Sequence, residues 1–296
     1  MSDKMKKRVV IALGYFDSVH LGHKRVIESA KEEAEKTGAL TVVFTFKGNL
    51  KALLSDENEK VVYTPKEREI LIKDLGADEI YFAPVDFNFL SMGKLAFLNK
   101  LNRAYDIVCY VSGNDYRFGK FGKGSVDDIK RYAQEKGQKV ITVDTLNFED
   151  GKVSTTAIKE FLTNGDIKTA NRLLGRQYSV TGEVFEDRKV GTTLGFPTVN
   201  IKIDDQKHRL KSGVYAGKIT VDENEYKAVI NYGARPTFGL DVSLVEAHLI
   251  GFSGQLYGRE LKVRFDDFLR DVKKFDSVEQ LKLQIEKDLE RVKNYD

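Results

Sequence analysis

Residues 8–25 read RVVIALGYFDSVHLGHKR. The apolar run Val9–Leu13 stops at Gly14, a short loop carries Asp17, and His20 and His23 close it before the pattern turns helical at Lys24. A buried strand that passes through a glycine loop into a helix start is a place where a chain can hold phosphate. The loop lets backbone N–H groups approach, and the helix N-terminus adds the positive end of its dipole. Two of the chain's four histidines stand in this turn, three residues apart.

Outward from that turn, the first half of the chain alternates strand and helix. The apolar runs Val9–Leu13, Leu40–Phe46, Glu79–Ala83, Ile107–Val111 and Val140–Val143 read as buried strands. Helical patterns over His23–Lys36, Pro65–Leu75, Lys94–Leu101 and Val126–Lys136 lie between them. Short apolar strands alternating with helices imply a doubly wound parallel sheet, and in such a sheet ligands bind beyond the carboxyl ends of the strands. The 14–23 turn is at such an end, and so is the glycine-rich, basic SGNDYRFGKFGKG at 112–124. Two short helices are expected over 153–165 and 165–176, the second stopped by Gly175.

After Tyr178 the pattern changes. YSVTGEVFE, GVYAGKITV, EYKAVINYG, LVEAHLIGF and ELKVRFDDFL are short alternating segments parted by Gly, Asn and Asp turns, as in a closed antiparallel barrel. The stretch Ser277–Lys293 reads as an amphipathic helix with Val278, Leu281, Ile285, Leu289 and Val292 on one face and Ser277 as its cap. The expected division is therefore an α/β domain over 1–175 and a β-barrel domain with a terminal helix over 176–296.

Bulk numbers fit this division. A chain of 296 residues accommodates two cores. Its 48 basic and 45 acidic side chains nearly cancel to +3, so there is no general polyanion-binding character and phosphate recognition has to be local. No nucleic-acid partner is expected. The single Cys109, in the apolar run DIVCYV, reads as a small buried hydrophobe. No apolar run is long enough to span a bilayer or to make a signal peptide, so a cytoplasmic location and no membrane partner are expected.

The remaining motifs carry chemistry. GYFDSVHLGH fits G-x-F-D-x-x-H-x-G-H and resembles the HxGH signature of the nucleotidyltransferases. Attack of a phosphate on the α-phosphorus of ATP needs two reactants positioned and the α-phosphoryl charge neutralised, which two imidazoles at a helix start can supply. A lone H-x-x-H is more often a pair of surface histidines; the strand before it and Gly14, Asp17 and Gly22 in register favour the site. VSTTAIK at 153–159 resembles the superfamily's second signature, S-[ST]-T-x-I-[RK], although the stretch alone equally suits a helix cap. SGNDYRFGKFGKG resembles the flavin and nucleotide loop G-x-[DN]-[FY]-x-F-G, and an exposed loop is the competing reading. In the second half, LGFPTVN (194–200) resembles the P-T-x-N motif of riboflavin kinases, whose Thr hydroxyl and Asn carbonyl suit a Mg²⁺ that bridges ATP phosphates. In LVEAHLIGF, a strand puts Glu246 and His248 on one face and Val245, Ala247 and Leu249 on the other.

With GVYAG, NYGARPTF, LYG and LRDVKKF following in order, essentially the whole chain resembles the bifunctional prokaryotic FAD synthetases. The resemblance implies a Rossmann-like FMN adenylyltransferase module and a riboflavin kinase barrel. ATP is the co-substrate of both and Mg²⁺ the cofactor. The small-molecule partners are ATP, riboflavin, FMN and FAD, and the assembly is a monomer or a weak homo-oligomer. It implies catalytic roles for His20, His23 and Glu246, with Glu246 as base toward the riboflavin 5′-hydroxyl. ATP or phosphate would be held by Gly14, Phe16, Asp17, Gly22, Ser154, Thr155, Lys159, Gly191 and Gly195. Flavin would be held by Asn114, Asp115, Phe118 and Arg270, with Phe121 a further stacking candidate, and the metal by Thr198 and Asn200.

The chain departs from the family pattern at three places. TFKGNL (45–50) lacks the usual P-H-P-like turn; Asp187 and Thr192 stand where Gly and Arg are typical; and Lys211 replaces a Pro. The alternatives are a paralogue retaining only FMN adenylyl transfer, or a flavin- or nucleotide-binding regulatory protein.

Overall fold

The computed structural model describes residues 6–48, 59–149, 151–186, 195–237 and 240–295. They form two compact units, Met1–Thr155 and Thr156–Asp296.

The first unit runs β1 (Arg8–Leu13), α1 (Leu21–Thr37), β2 (Leu40–Phe46), α2 (Pro65–Asp74), β3 (Glu79–Ala83), α3 (Phe87–Leu90), α4 (Lys94–Ala104), β4 (Asp106–Gly113), β5 (Arg117–Phe118), β6 (Gly124–Ser125), α5 (Val126–Glu135), β7 (Lys139–Val143), β8 (Asn147–Phe148) and β9 (Gly151–Lys152). A five-stranded sheet has the order β3-β2-β1-β4-β7 with every neighbour parallel. Its strands are the five expected from the apolar runs. The three inner ones read as continuous apolar segments because both of their faces are covered. Val10 and Ala12 of β1 pack under Val26, Ile27 and Ala30 of α1 and Ile72 of α2, while Val9, Ile11 and Leu13 face Phe97 and Leu101 of α4 and Ile129 of α5. Cys109 is fully buried, and desolvation pushes its thiol up to about 12, as suits a packing residue.

The strand order reverses between β1 and β4. Leu13 pairs with Ser112 there, so the loops leaving both strands rise side by side. This is the topological switch point, where an open α/β sheet leaves a crevice for a ligand. Two small hairpins, β5–β6 and β8–β9, rise near this edge in stretches whose sequence reads as loop.

The second unit contains α6 (Thr155–Asn164), which starts at the division, then α7 (Ile167–Leu174), β10 (Tyr178–Phe185), β11 (Val199–Ile203), β12 (Gly213–Val221), β13 (Asn224–Thr237), β14 (Leu240–Leu249), β15 (Glu260–Arg270) and α8 (Val278–Lys293). Its strands close an antiparallel barrel in the order β10-β11-β14-β13-β12-β15. The strand missing from the sequence reading is β11, VNIKI, which bridges β10 to β14 and so closes the barrel. Alternating apolar side chains fill the interior, with Tyr178, Tyr215, Tyr232 and Phe265 fully or almost fully buried. At Gly217 a Cβ would stand 2.1 Å from the Arg264 carbonyl oxygen, so the close crossing of β12 and β15 requires glycine. The Lys211 N–H donates to Leu162 O at 3.1 Å, a bond that the family's usual proline could not make. Among the described residues, no helix is long and apolar enough to cross a membrane.

The terminal helix is capped as expected, with Ser277 Oγ accepting from the Gln280 N–H. Its apolar face is only partly covered: Val292 is buried, but Val278 is 52% exposed. An ion pair holds it instead. Buried Asp288 accepts from Arg270 Nη2 at 2.7 Å and Nε at 3.0 Å. Removing one partner of such a pair strands the other charge and costs about 3–5 kcal/mol. Asp288→Ala should therefore lower the denaturant midpoint of the barrel unit, and Asp288→Asn, which keeps an oxygen acceptor for Arg270, should lower it less. Equal midpoints for wild type and Asp288→Ala would contradict the assignment.

Candidate active sites

The turn after β1 depends on unusual backbone geometry. Phe16 (φ 51°) and Val19 (φ 45°) both lie in the left-handed region, which is costly for a bulky or β-branched residue and persists only where the surroundings enforce it. Here they do. The Phe16 ring lies over Gly14, where a Cβ would come within 2.6 Å of it, so position 14 must be glycine. Asp17 is 1% exposed and its carboxylate accepts the Val62 N–H at 2.9 Å. Arg68, on α2, donates to the Tyr15 carbonyl oxygen at 3.1 Å.

The chain then enters α1 with His20 as N-cap. An N-cap is usually a Ser, Thr, Asp or Asn; here the imidazole Nδ1 accepts the His23 N–H at 3.1 Å. That bond fixes the tautomer: with Nδ1 an acceptor, the neutral ring carries its proton on Nε2. The His23 ring stacks on His20, centroids 3.6 Å apart and planes 8° apart, and meets the edge of Phe16 at 5.2 Å. The two imidazoles thus form one slab at the N-terminus of α1.

A hollow of about 240 Å³ opens beside this slab. It brings together Gly14, Phe16, His20, Gly22, His23, Asp115, Ser154 and Thr155, so that the first signature, the start of the second and the 112–124 loop converge at the switch point. Ser18 Oγ and Thr155 Oγ1, 2.9 Å apart, join the two signatures. Tyr15, Tyr116 and Lys152 also line it and were not legible as site residues. Lys152 pairs with Asp115, and its place became visible only with the β8–β9 hairpin.

Other expected residues stand elsewhere. Asp17 is not on the hollow's wall; it ties the loop to the backbone at Val62. Asn114 faces a neighbouring hollow with Arg117 and Lys130, and exchanges hydrogen bonds with Asp144 and Thr145. Phe118 does not present a face for stacking on a ligand ring: it is 5% exposed and packs on Phe97 and Tyr116 in the core. Phe121 is the exposed aromatic of that loop. Lys159 lies in the second unit, where its main-chain oxygen is 2.9 Å from His208 Nε2.

The barrel carries a second cluster. Cross-strand pairing sets Glu246 of β14 between Asn200 of β11 and Asn231 of β13. As expected, Val245, Ala247 and Leu249 point into the core while Glu246 and His248 do not. Thr198 Oγ1 donates to Glu246 Oε1 at 3.0 Å, which leaves the threonine oxygen's lone pairs for another partner. Asn200 is 8% exposed, and its Oδ1 is buried without a hydrogen bond. Buried acceptors are normally satisfied, so an orphan beside a Thr hydroxyl and a carboxylate suits a hard cation. No group of three or more His, Cys, Asp or Glu among the described residues could hold a metal; the oxygen set at Thr198 and Asn200 is of a different kind. His248 Nδ1 donates to the Pro197 carbonyl oxygen at 2.8 Å, and Phe196 meets its ring edge-on, which fixes the turn that presents Thr198.

Gly195, with φ 88°, lies in that turn. Arg270, expected at the flavin, gives its guanidinium to Asp288 and to the Asp271 carbonyl, which is a structural role. Lys211 is ion-paired with Asp271 at 2.9 Å. Gly191, Asp187 and Thr192 lie outside the described residues.

Comparison with known proteins matches the two halves of the chain to two family models. The model described as FAD synthetase matches residues 2–157, and that described as riboflavin kinase matches residues 174–295. A curated relative from Listeria monocytogenes, a bifunctional riboflavin kinase/FMN adenylyltransferase, is 36% identical over 94% of this chain and 90% of its own. The protein of the same description from Bacillus subtilis is 34% identical over 97% and 92%. A solved structure from Streptococcus pneumoniae, titled a macrolide-efflux protein, superposes with a TM-score of 0.91 at 31% identity, covering 98% of this chain and 95% of that one. With both family models matched in order and relatives of this identity aligned over nearly their full length, the chain belongs to the bifunctional riboflavin kinase/FMN adenylyltransferase family.

Proposed function

We propose that the chain makes FAD from riboflavin in two steps, each consuming one ATP. The barrel transfers the γ-phosphoryl group of ATP to the 5′-hydroxyl of riboflavin, giving FMN and ADP. The parallel-sheet unit joins FMN to the adenylyl group of a second ATP, giving FAD and pyrophosphate. Residues 1–175 would then be the adenylyltransferase module and 176–296 the kinase module. The observation that carries the reading is the stacked His20–His23 slab at a helix N-terminus inside the switch-point hollow, where the bond that caps the helix leaves the His20 Nε2 proton as a donor.

In adenylyl transfer an FMN phosphate oxygen attacks the α-phosphorus and the bond to the β-phosphate oxygen breaks. The reaction needs no protein nucleophile. It needs the α-phosphoryl oxygens held as their charge grows, and pre-aimed donors in a site sheltered from water do this at no reorganisation cost. His20, with its proton on Nε2, and His23 serve as those donors. Gly22 lets phosphate approach, and the Ser154 and Thr155 hydroxyls and the α1 dipole add further donors. Asp115, on the hollow's wall, would meet the polar edge of the flavin or a ribose, and Asn114, in the neighbouring hollow, would do so only from beside it.

In the kinase step Glu246 takes the proton from the riboflavin hydroxyl as its oxygen attacks the γ-phosphorus. Its bond from Thr198 holds the carboxylate in place. Thr198 and Asn200 would hold Mg²⁺, which when bound draws ATP phosphate oxygens into register and neutralises charge on them. Both modules would act where the substrates are small and soluble, in the cytoplasm.

The test follows riboflavin, FMN and FAD separately over time with ATP and Mg²⁺. Riboflavin should give FMN and then FAD, and FMN supplied directly should give FAD. No FAD from FMN would sink the adenylyltransferase assignment. No FMN from riboflavin, with FAD still made from FMN, would leave the one-activity paralogue. His20→Ala should slow FAD formation by more than roughly tenfold, the loss expected for a donor on developing charge, and leave FMN formation intact. Glu246→Gln should do the reverse, and a kinase rate near wild type would remove Glu246 from the mechanism.

A further inference from the structure

Arg68 is 0% exposed, the largest wholly buried side chain among the described residues. Among the described residues no carboxylate pairs with it. Its hydrogen bonds go from Nη1 to Tyr15 O at 3.1 Å and Thr45 Oγ1 at 3.4 Å, and from Nη2 to Phe46 O at 2.9 Å; Nε is buried without a partner. The guanidinium carbon lies 5.6 Å from the Tyr15 ring centroid. Burial pulls its pKa down, and Asp17 opposes this only through space. A buried charge without a bonded counter-ion is costly, and a fold seldom keeps one for stability alone.

What it holds is specific. Tyr15 O belongs to the peptide that leads into left-handed Phe16, so the direction of that carbonyl sets the plane from which Phe16 departs. Thr45 Oγ1 donates to the same oxygen at 2.6 Å, so two donors pin it. The Phe16 ring in turn covers Gly14 and meets His23 edge-on. The other end of the guanidinium grips the end of β2. Arg68 is itself delivered by a rigid helix start, the capping box of Thr64 and Glu67 with Pro65 in the first turn.

We infer that Arg68 is a positioning residue for adenylyl transfer: by fixing the Tyr15–Phe16 peptide against the end of β2 it seats the His23 ring in the catalytic slab. This rests on the adenylyltransferase reading above. Arg68→Met keeps an unbranched side chain of similar size and strands no bonded carboxylate, and Thr45 Oγ1 still donates to Tyr15 O, so the variant separates anchoring from folding. In the full chain with ATP and Mg²⁺, Arg68→Met should keep its melting temperature within a few degrees and its riboflavin-to-FMN rate. Its kcat for FMN to FAD should fall by about tenfold or more, with a smaller change in KM for ATP. Arg68→Lys keeps charge but cannot span both carbonyls, and should recover only part of the rate. Thr45→Val, which removes the second donor, should lower the same rate more mildly. An Arg68→Met enzyme making FAD within twofold of wild type would overturn the inference. So would losses of both activities in step with a lowered melting temperature. Wild-type chain that makes no FAD from FMN would overturn the adenylyltransferase reading itself.

Discussion

The constraint on which the first unit depends is a turn that must leave β1, cross the end of the sheet and start α1 with its donors facing the crevice. Two non-glycine residues in the left-handed region make that turn possible, and neither conformation would hold by itself. Contacts from three directions hold it: the Phe16 ring on Gly14, the Val62 N–H on Asp17, and Arg68 on Tyr15 O. The segment 61–68, which carries no part of either signature, supplies two of these three contacts. A histidine then does two tasks at once. By capping α1 through Nδ1, His20 fixes both its ring orientation and the position of its proton.

The barrel solves a similar problem by different means. Strand pairing, rather than a strained loop, brings Asn200, Asn231 and Glu246 into one row across three adjacent strands. Their register is fixed because a slip by one residue would turn Val245 and Ala247 out of the core. The turn that presents Thr198 is latched by His248 from the same strand as Glu246. An oxygen cluster on paired strands is more rigid than one on loops, and rigidity of this kind is what the proposed kinase step would use.

Much of this was legible in the sequence, and the reasons are physical. The three inner strands of the parallel sheet showed as unbroken apolar runs because both of their faces are buried. The placement of Glu246 and His248 followed from a period of two. The barrel's sixth strand did not show, because VNIKI is short and its first residues belong to a motif that reads as a turn. Phe118 read as a stacking residue because SGNDYRFGKFGKG resembles a flavin and nucleotide loop; in the structure the ring enters the core, and a Cβ on Gly124 would come within 2.8 Å of it. The Arg270–Asp288 pair did not show, because nothing in LRDVKKF reveals Asp288, eighteen positions away on another element. Arg68 was invisible for the same reason. In KEREILIKDL it is one charge among several, and only tertiary packing shows that it goes wholly inside.

The central claim is that one chain carries two chemically distinct phosphoryl sites, one cutting ATP at the γ-phosphorus and the other at the α-phosphorus. The fate of isotope tests it most directly. Riboflavin would be converted with Mg²⁺ and ATP labelled at either the γ- or the α-phosphate, and the FAD isolated. The account predicts one label per FAD from γ-labelled ATP, on the flavin-side phosphate, and one from α-labelled ATP, on the adenosine-side phosphate, with the remaining label in ADP and pyrophosphate. FAD that carries label from only one of the two positions, or both labels on the same phosphate, would contradict it.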